Sequence, residues 1–118
     1  MDLTGNVYVA DANNHRIQKF NSEGKFLTKW GSEGIDDGQF TSHLGVALDA
    51  AGNVHVADTF NHRIQKFSPG GAYLAGWGRE GSGDGQFHRP GAVAVDAKGS
   101  VYVAEIDNGR IRVFGLAP

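Results

Sequence analysis

Residues 6–20 read NVYVADANNHRIQKF and residues 53–67 read NVHVADTFNHRIQKF; a looser third version, SVYVAEIDNGRIRVF, occupies residues 100–114. The copies begin at positions 6, 53 and 100, a spacing of 47 residues. A fixed period of a few tens of residues marks a chain built from one supersecondary unit. Such a unit cannot bury its apolar surface alone and stacks on copies of itself.

Four extended segments fill one period, and the middle repeat holds them all: 45–49 (GVALD), 53–57 (NVHVA), 63–67 (RIQKF) and 72–77 (AYLAGW). Each is rich in β-branched or aromatic residues, and turn residues separate them at 50–52 (AAG), 59–62 (TFNH) and 68–71 (SPGG). No stretch holds a helical period, so the chain is predicted to be all-β. Its 18 glycines recur at matching places, as repeated tight turns require.

The second segment is apolar on both sides, Val7 and Val9 facing one way and Tyr8 and Ala10 the other. A sheet with one wet face would alternate more strictly, so this one is expected to be packed on both faces. Small residues, Ala47 and Ala94, sit in the first segment, where sheets would converge. Large ones sit in the fourth, with Phe26, Thr28 and Trp30 on one parity and Tyr73, Ala75 and Trp77 at the matching places. Four-stranded antiparallel meanders, buried on both faces and tapering to an axis, are the blades of a β-propeller.

In register with the period, Met1 and Asp2 fall on Leu48 and Asp49. The predicted organisation is a partial blade over 1–43, a complete blade over 44–90 and a partial blade over 91–118. Propellers close with roughly four to eight blades, so one chain forms an incomplete ring with apolar faces and open edges. Two readings follow: a homodimer or higher oligomer closes the ring, or the chain is a piece of a longer propeller.

The formal charge of −2 disfavours partners that need a broad basic surface. Without cysteine there is no disulfide framework and no thiolate metal site. A basic stretch followed by an apolar one is missing after Met1, and no apolar run is long enough to span a bilayer, which places the chain in the cytoplasm by default.

Among polar residues, the most regular feature is an acid at the end of the second segment and an arginine at the start of the third. These pairs are Asp11 with Arg16, Asp58 with Arg63 and Glu105 with Arg110. Facing each other across a hairpin, they are expected to be structural ion pairs, since catalysis needs one special site and these recur in every repeat. His15 and His62 lie one period apart, too far to share an ion, and Gly109 stands at the third place. His43 and His88 fall in the longer connections. The stretch 34–39 (GIDDGQ) lacks the spaced ligands and terminal Glu of a calcium loop, and its partner at 81–86 holds a single Asp. Serines sit in turns without a nucleophile elbow. The expectation is therefore a protein with no metal, no cofactor and no catalytic residues.

In a meander, the loop after the second strand and the long link to the next repeat share one end of the sheet. That end gathers the candidate binding face: Asn13, Asn14, His15, Phe60, Asn61, His62, His88, Arg89, Asp107 and Asn108. Phe60 replaces the Asn13 of the first copy, and an aromatic at a loop tip can anchor a peptide or stack on a base.

The motifs AD…NHRIQKF at 10–20 and 57–67, AE…NGRI at 104–111, and the link GREGSGDGQF at 78–87 followed by Pro90 resemble the NHL repeat. That resemblance covers nearly the whole chain. It implies a propeller, usually of about six blades; the expected role is a non-catalytic protein-interaction scaffold that binds a peptide or protein once the ring is closed. Some NHL propellers of animal tripartite-motif proteins bind RNA through a basic version of the loop face, where this chain carries Asp36, Asp37 and Asp107. A similar propeller carries an amidating lyase activity that relies on histidine metal ligands, so a fragment of a metal-dependent lyase or hydrolase is the remaining alternative.

Overall fold

The computed structural model describes residues 5–41, 44–80, 89–105 and 109–114. Among the described residues, ten strands make three antiparallel sheets in series. The first holds β1 (Val7–Asp11), β2 (Arg16–Phe20) and β3 (Phe26–Trp30); the second β4 (Leu44–Leu48), β5 (Val54–Asp58), β6 (Arg63–Phe67) and β7 (Tyr73–Trp77); the third β8 (Pro90–Val95), β9 (Val101–Glu105) and β10 (Arg110–Phe114). Each sheet is a meander of sequence neighbours. Among the described residues the second sheet has four strands and the others three. Pro90 is already part of β8 and pairs with Glu105. Among the described residues no helix is long and apolar enough to cross a membrane.

Repeated turn chemistry sets the hairpins. Asp49 accepts the amides of Ala51 and Asn53 at 3.0 and 2.9 Å, and Gly52 closes the turn at φ +85°. Asp96 does the same for Lys98 and Ser100 at 2.9 Å each. A side-chain acceptor followed three residues on by a left-handed position is a local device that needs no tertiary support.

Each sheet has a rear face, toward the preceding sheet, and a forward face, toward the next. Tyr8, Ala10, Ile17 and Trp30 on the forward face of the first sheet pack on Val54, Val56 and Phe67 on the rear of the second. Leu44, Val46 and Leu48 of β4 and the connecting Phe40 join this cluster. The second interface sets Ala57, Ile64 and Trp77 against Val101, Val103 and Phe114, with Val93 and Val95 from β8. Hence every residue of β5 is buried, while β1 alternates. The inner strands converge closely: a Cβ on Gly45 would lie 3.3 Å from the Gly91 carbonyl oxygen.

One expectation is corrected. Simple alternation places Phe26 with Thr28 and Trp30, but the register shifts between Lys19 and Phe20, so Phe20 pairs with Phe26 and Lys19 with Thr28. The extra residue, Leu27, breaks the period of two, a β-bulge. Phe26 therefore joins Phe20 on the rear face, their rings 5.9 Å apart. Tyr73 is brought to Phe67 in the same way, also at 5.9 Å. Of the four aromatics Phe26, Trp30, Tyr73 and Trp77, it is Trp30 and Trp77 that fill the forward gaps between sheets.

Candidate functional site

The polar residues of each repeat converge where the second strand gives way to the third. Asp58 pairs directly with Arg63 across the β5–β6 hairpin, and Gln65, two residues on, shares that face. Asp58 is fully buried. Its Oδ2 accepts from Arg63 Nε at 2.8 Å, Asn61 Nδ2 at 2.9 Å and Gln65 Nε2 at 3.3 Å, while Oδ1 accepts from the Thr41 amide at 3.1 Å. A buried carboxylate is tolerable only when so surrounded.

These same side chains grip the 31–41 segment that connects the first sheet to the second. Arg63 donates through Nη1 to the Ile35 carbonyl at 2.7 Å and through Nη2 to the carbonyls of Asp36 and Gln39 at 3.0 and 2.6 Å. Gln65 acts as a backbone mimic, donating to the Gln39 carbonyl and accepting the Gly38 amide, both at 2.8 Å. Asn61 donates to the Gly34 carbonyl at 3.0 Å. The segment is thus held almost wholly by its main chain, with Phe40 inserted beside Phe67 at 5.6 Å between ring centres. The side chains around Asp58 form a peptide latch.

The first sheet carries the same latch. Asp11 Oδ2 accepts from Arg16 Nε at 2.9 Å, Gln18 Nε2 at 3.0 Å and Asn14 Nδ2 at 3.1 Å. Hydrogen bonds from Asn14 and then Arg16 hold the Asp11 carboxyl below its ordinary pKa. Here the side chains of Arg16 and Asp11 remain 30% and 23% exposed, against 15% and 0% for Arg63 and Asp58. Among the described residues, Arg16 holds no backbone carbonyl. In the third sheet Glu105 replaces the aspartate and accepts from Arg110 Nε at 2.6 Å, while Arg112 takes the glutamine's place with its Nε 3.8 Å away.

The histidines serve the turns. His15 and His62 sit at left-handed φ of 54° and 53°, and Gly109 occupies the third copy at 60°, a conformation that costs glycine nothing. His62 Nδ1 accepts the Arg89 amide at 3.0 Å, and its Nε2 lies 3.8 Å from Glu80; His15 Nε2 lies 3.6 Å from Glu33. Each histidine is thus engaged with its own connecting segment. Asn13 is exposed, and Phe60 is 41% exposed, with the Arg89 guanidinium 6.0 Å from its ring centre. His43, His88, Asp107, Asn108 and the loop 81–86 lie outside the described residues. Among the described residues no three His, Asp or Glu side chains form a group able to hold a metal.

Gln18, Gln65 and the backbone-gripping role of Arg63 did not emerge from the sequence. The signal was present in the repeated R-I-Q, which puts arginine and glutamine on one face of a strand, and in the repeated G-Q-F of the connecting segments.

The model of the family described as NHL repeat matches residues 3–20, 44–67 and 87–114, more than half of the chain. Among curated proteins, no sequence match is found. A solved structure of a protein of unknown function from Bacteroides thetaiotaomicron superposes with a TM-score of 0.79 at 21% identity, covering 93% of this chain and 32% of the other. A streptogramin B lyase superposes with a TM-score of 0.67 at 14% identity, over 98% of this chain and 38% of the lyase. For virginiamycin B lyase from Staphylococcus aureus the values are 0.65 and 16%, over 100% and 40%. These likenesses are of fold, and the chain spans between 32% and 40% of the length of these structures.

Proposed function

The chain belongs to the NHL-repeat family and is a segment of β-propeller, and from that premise we propose that it is a non-catalytic interaction scaffold whose blades join those of a second copy to complete a ring of about six. One observation carries this reading. The two outermost faces repeat the residue set of the first internal interface: Tyr102, Ala104 and Ile111 on the forward face of the third sheet match Tyr8, Ala10 and Ile17, while Val7, Val9 and Phe20 on the rear of the first match Val54, Val56 and Phe67.

Among the described residues both faces are open, Val7 and Val9 being exposed on the rear of the first sheet. Ile111 is 65% and Val113 57% exposed, and Ala92, Ala94, Tyr102, Ala104 and Ile111 line a shallow hollow of about 160 Å³. Apolar surface of this kind marks association sites. A front-to-rear contact is heterologous, so it propagates until the rotation closes a ring. Asp58, Arg63 and the two turn histidines, meanwhile, are occupied with connecting segments, and the acids and arginines of the other sheets pair with each other, which supports a scaffold over a reaction centre.

Light scattering at micromolar concentration is expected to give a dimer or a higher closed oligomer, and Ile111→Asp to give a folded monomer. A cooperatively melting wild-type monomer overturns ring closure by self-association. The alternative of single-stranded RNA on the loop face draws on Phe60 beneath the Arg89 guanidinium. It requires salt-sensitive binding that Phe60→Ala removes.

A further inference from the structure

We propose that Asp11, Asn14, Arg16 and Gln18 form a peptide-binding site on the first sheet. Its ligand is an extended, glycine-rich segment carrying Asp-Gly-Gln-Phe, the type of segment that connects one blade to the next. The occupied copy of the site supplies the argument. Around Asp58, side chains of the same four types hold the carbonyls of Gly34, Ile35, Asp36 and Gln39 and the amide of Gly38 in segment 31–41.

The first-sheet site is already set to this geometry before anything is bound. Asp11 fixes Arg16 through Nε at 2.9 Å, just as Asp58 fixes Arg63 at 2.8 Å, and the Nη groups, which engage carbonyls in the second sheet, hold no carbonyl in the first among the described residues. A fixed fork loses little conformational freedom on engaging carbonyls. Gln18 has one amide donor engaged by Asp11 and retains a second donor and its carbonyl oxygen for a peptide unit. Below the polar groups, Val9 and Phe20 continue the same face, as Val56 and Phe67 do beneath the segment that buries Phe40. Selectivity follows: glycines let the backbone approach, and the terminal phenylalanine fills the place beside Phe20.

The site shares the rear face of the first sheet, and with it Val9 and Phe20, with the association surface, but its polar grip rests on Asp11, Asn14, Arg16 and Gln18 and needs no second copy. The probe is the synthetic peptide GSEGIDDGQFT, the sequence of residues 31–41, titrated into isotope-labelled protein and followed by NMR. Saturable shifts are expected at the Arg16 Nε–H, the Gln18 side-chain amide and the β1–β2 backbone, with Arg63 and Gln65 unmoved because their own segment occupies them. Arg16→Ala should weaken binding at least about tenfold, the scale of lost charge-assisted hydrogen bonds. Arg16→Lys keeps the charge but not the fork and should weaken it several-fold in a protein whose spectrum stays dispersed. Replacing the peptide's phenylalanine by alanine should weaken it as well. No shifts at low millimolar peptide, or shifts centred on Arg63, overturn the site. Arg16→Ala is expected to leave the oligomeric mass unchanged, so the peptide site and the self-association can fail separately.

Discussion

Arg63 bonds three backbone carbonyls of the segment that precedes its sheet, whereas Arg16, in the same place one repeat earlier, bonds the Asp11 carboxylate through Nε and no carbonyl among the described residues. Two arginines in nearly identical sequence are thus in different electrostatic situations. Removing Arg63 strands a fully buried carboxylate and should destabilise the fold by ~3–5 kcal/mol. Removing Arg16 leaves a carboxylate that water can reach, and the loss should be far smaller, as for a surface ion pair. Urea denaturation of Arg63→Ala and Arg16→Ala measures both. Equal losses would contradict the packing of segment 31–41 against Asp58.

Gly24 and Gly71 make the same comparison for sterics. Both have a left-handed φ, +84° and +95°, and alanine there carries a strain of ~1–2 kcal/mol. Beside Gly24 an added Cβ meets nothing within 4 Å, but beside Gly71 it lands 2.7 Å from Cε3 of Trp30 in the preceding sheet. Gly71→Ala should therefore cost a further ~1–3 kcal/mol of overpacking. It should also change Trp30 fluorescence, which Gly24→Ala should leave alone.

Acid should loosen the hairpins. Burial works against the charged form of Asp49, but hydrogen bonds from His55 and Asn53 outweigh it and hold the carboxyl below the ordinary 3.8. The Asp96 carboxyl is likewise lowered, first by the Ser100 amide. As pH falls from above 3.8 through the folded value, the unfolded chain binds protons first, so stability drops across that window. Asp49→Asn should flatten this acid limb while lowering stability near neutral pH. A pH series of denaturant midpoints reads the slope, and an unchanged slope would remove Asp49 from the account.

Phe67 and Phe20 extend the test to assembly. Phe67 is buried against Trp30, Phe40 and Tyr73, and its truncation to alanine should cost ~3–5 kcal/mol at any concentration. Phe20, on the open rear face, should cost less in dilute protein. Its cost should grow with concentration if a second copy covers it, as mass action requires. Melting temperatures across a concentration series separate the two.

The all-β class and the hairpins were legible because they rest on local devices. Alternating apolar residues, an Asp or Asn opening each turn and a glycine at each left-handed position act within a few residues. The Asp-x₄-Arg pairing was legible for the same reason, being a cross-strand neighbour. The bulges at Leu27 and Leu74 were not: one extra residue in an outer strand leaves no mark on composition, yet it moves Phe26 and Tyr73 to the opposite face. Nor could the sequence distinguish Arg16 from Arg63. HRIQKF is the same string in both repeats, and what differs among the described residues is whether a connecting segment crosses it. By itself, then, the sequence determined the unit and its period, because each unit folds on short-range rules. Tertiary structure alone decided which copies of each residue are buried, held or open to a partner, because that depends on what lies against the sheet.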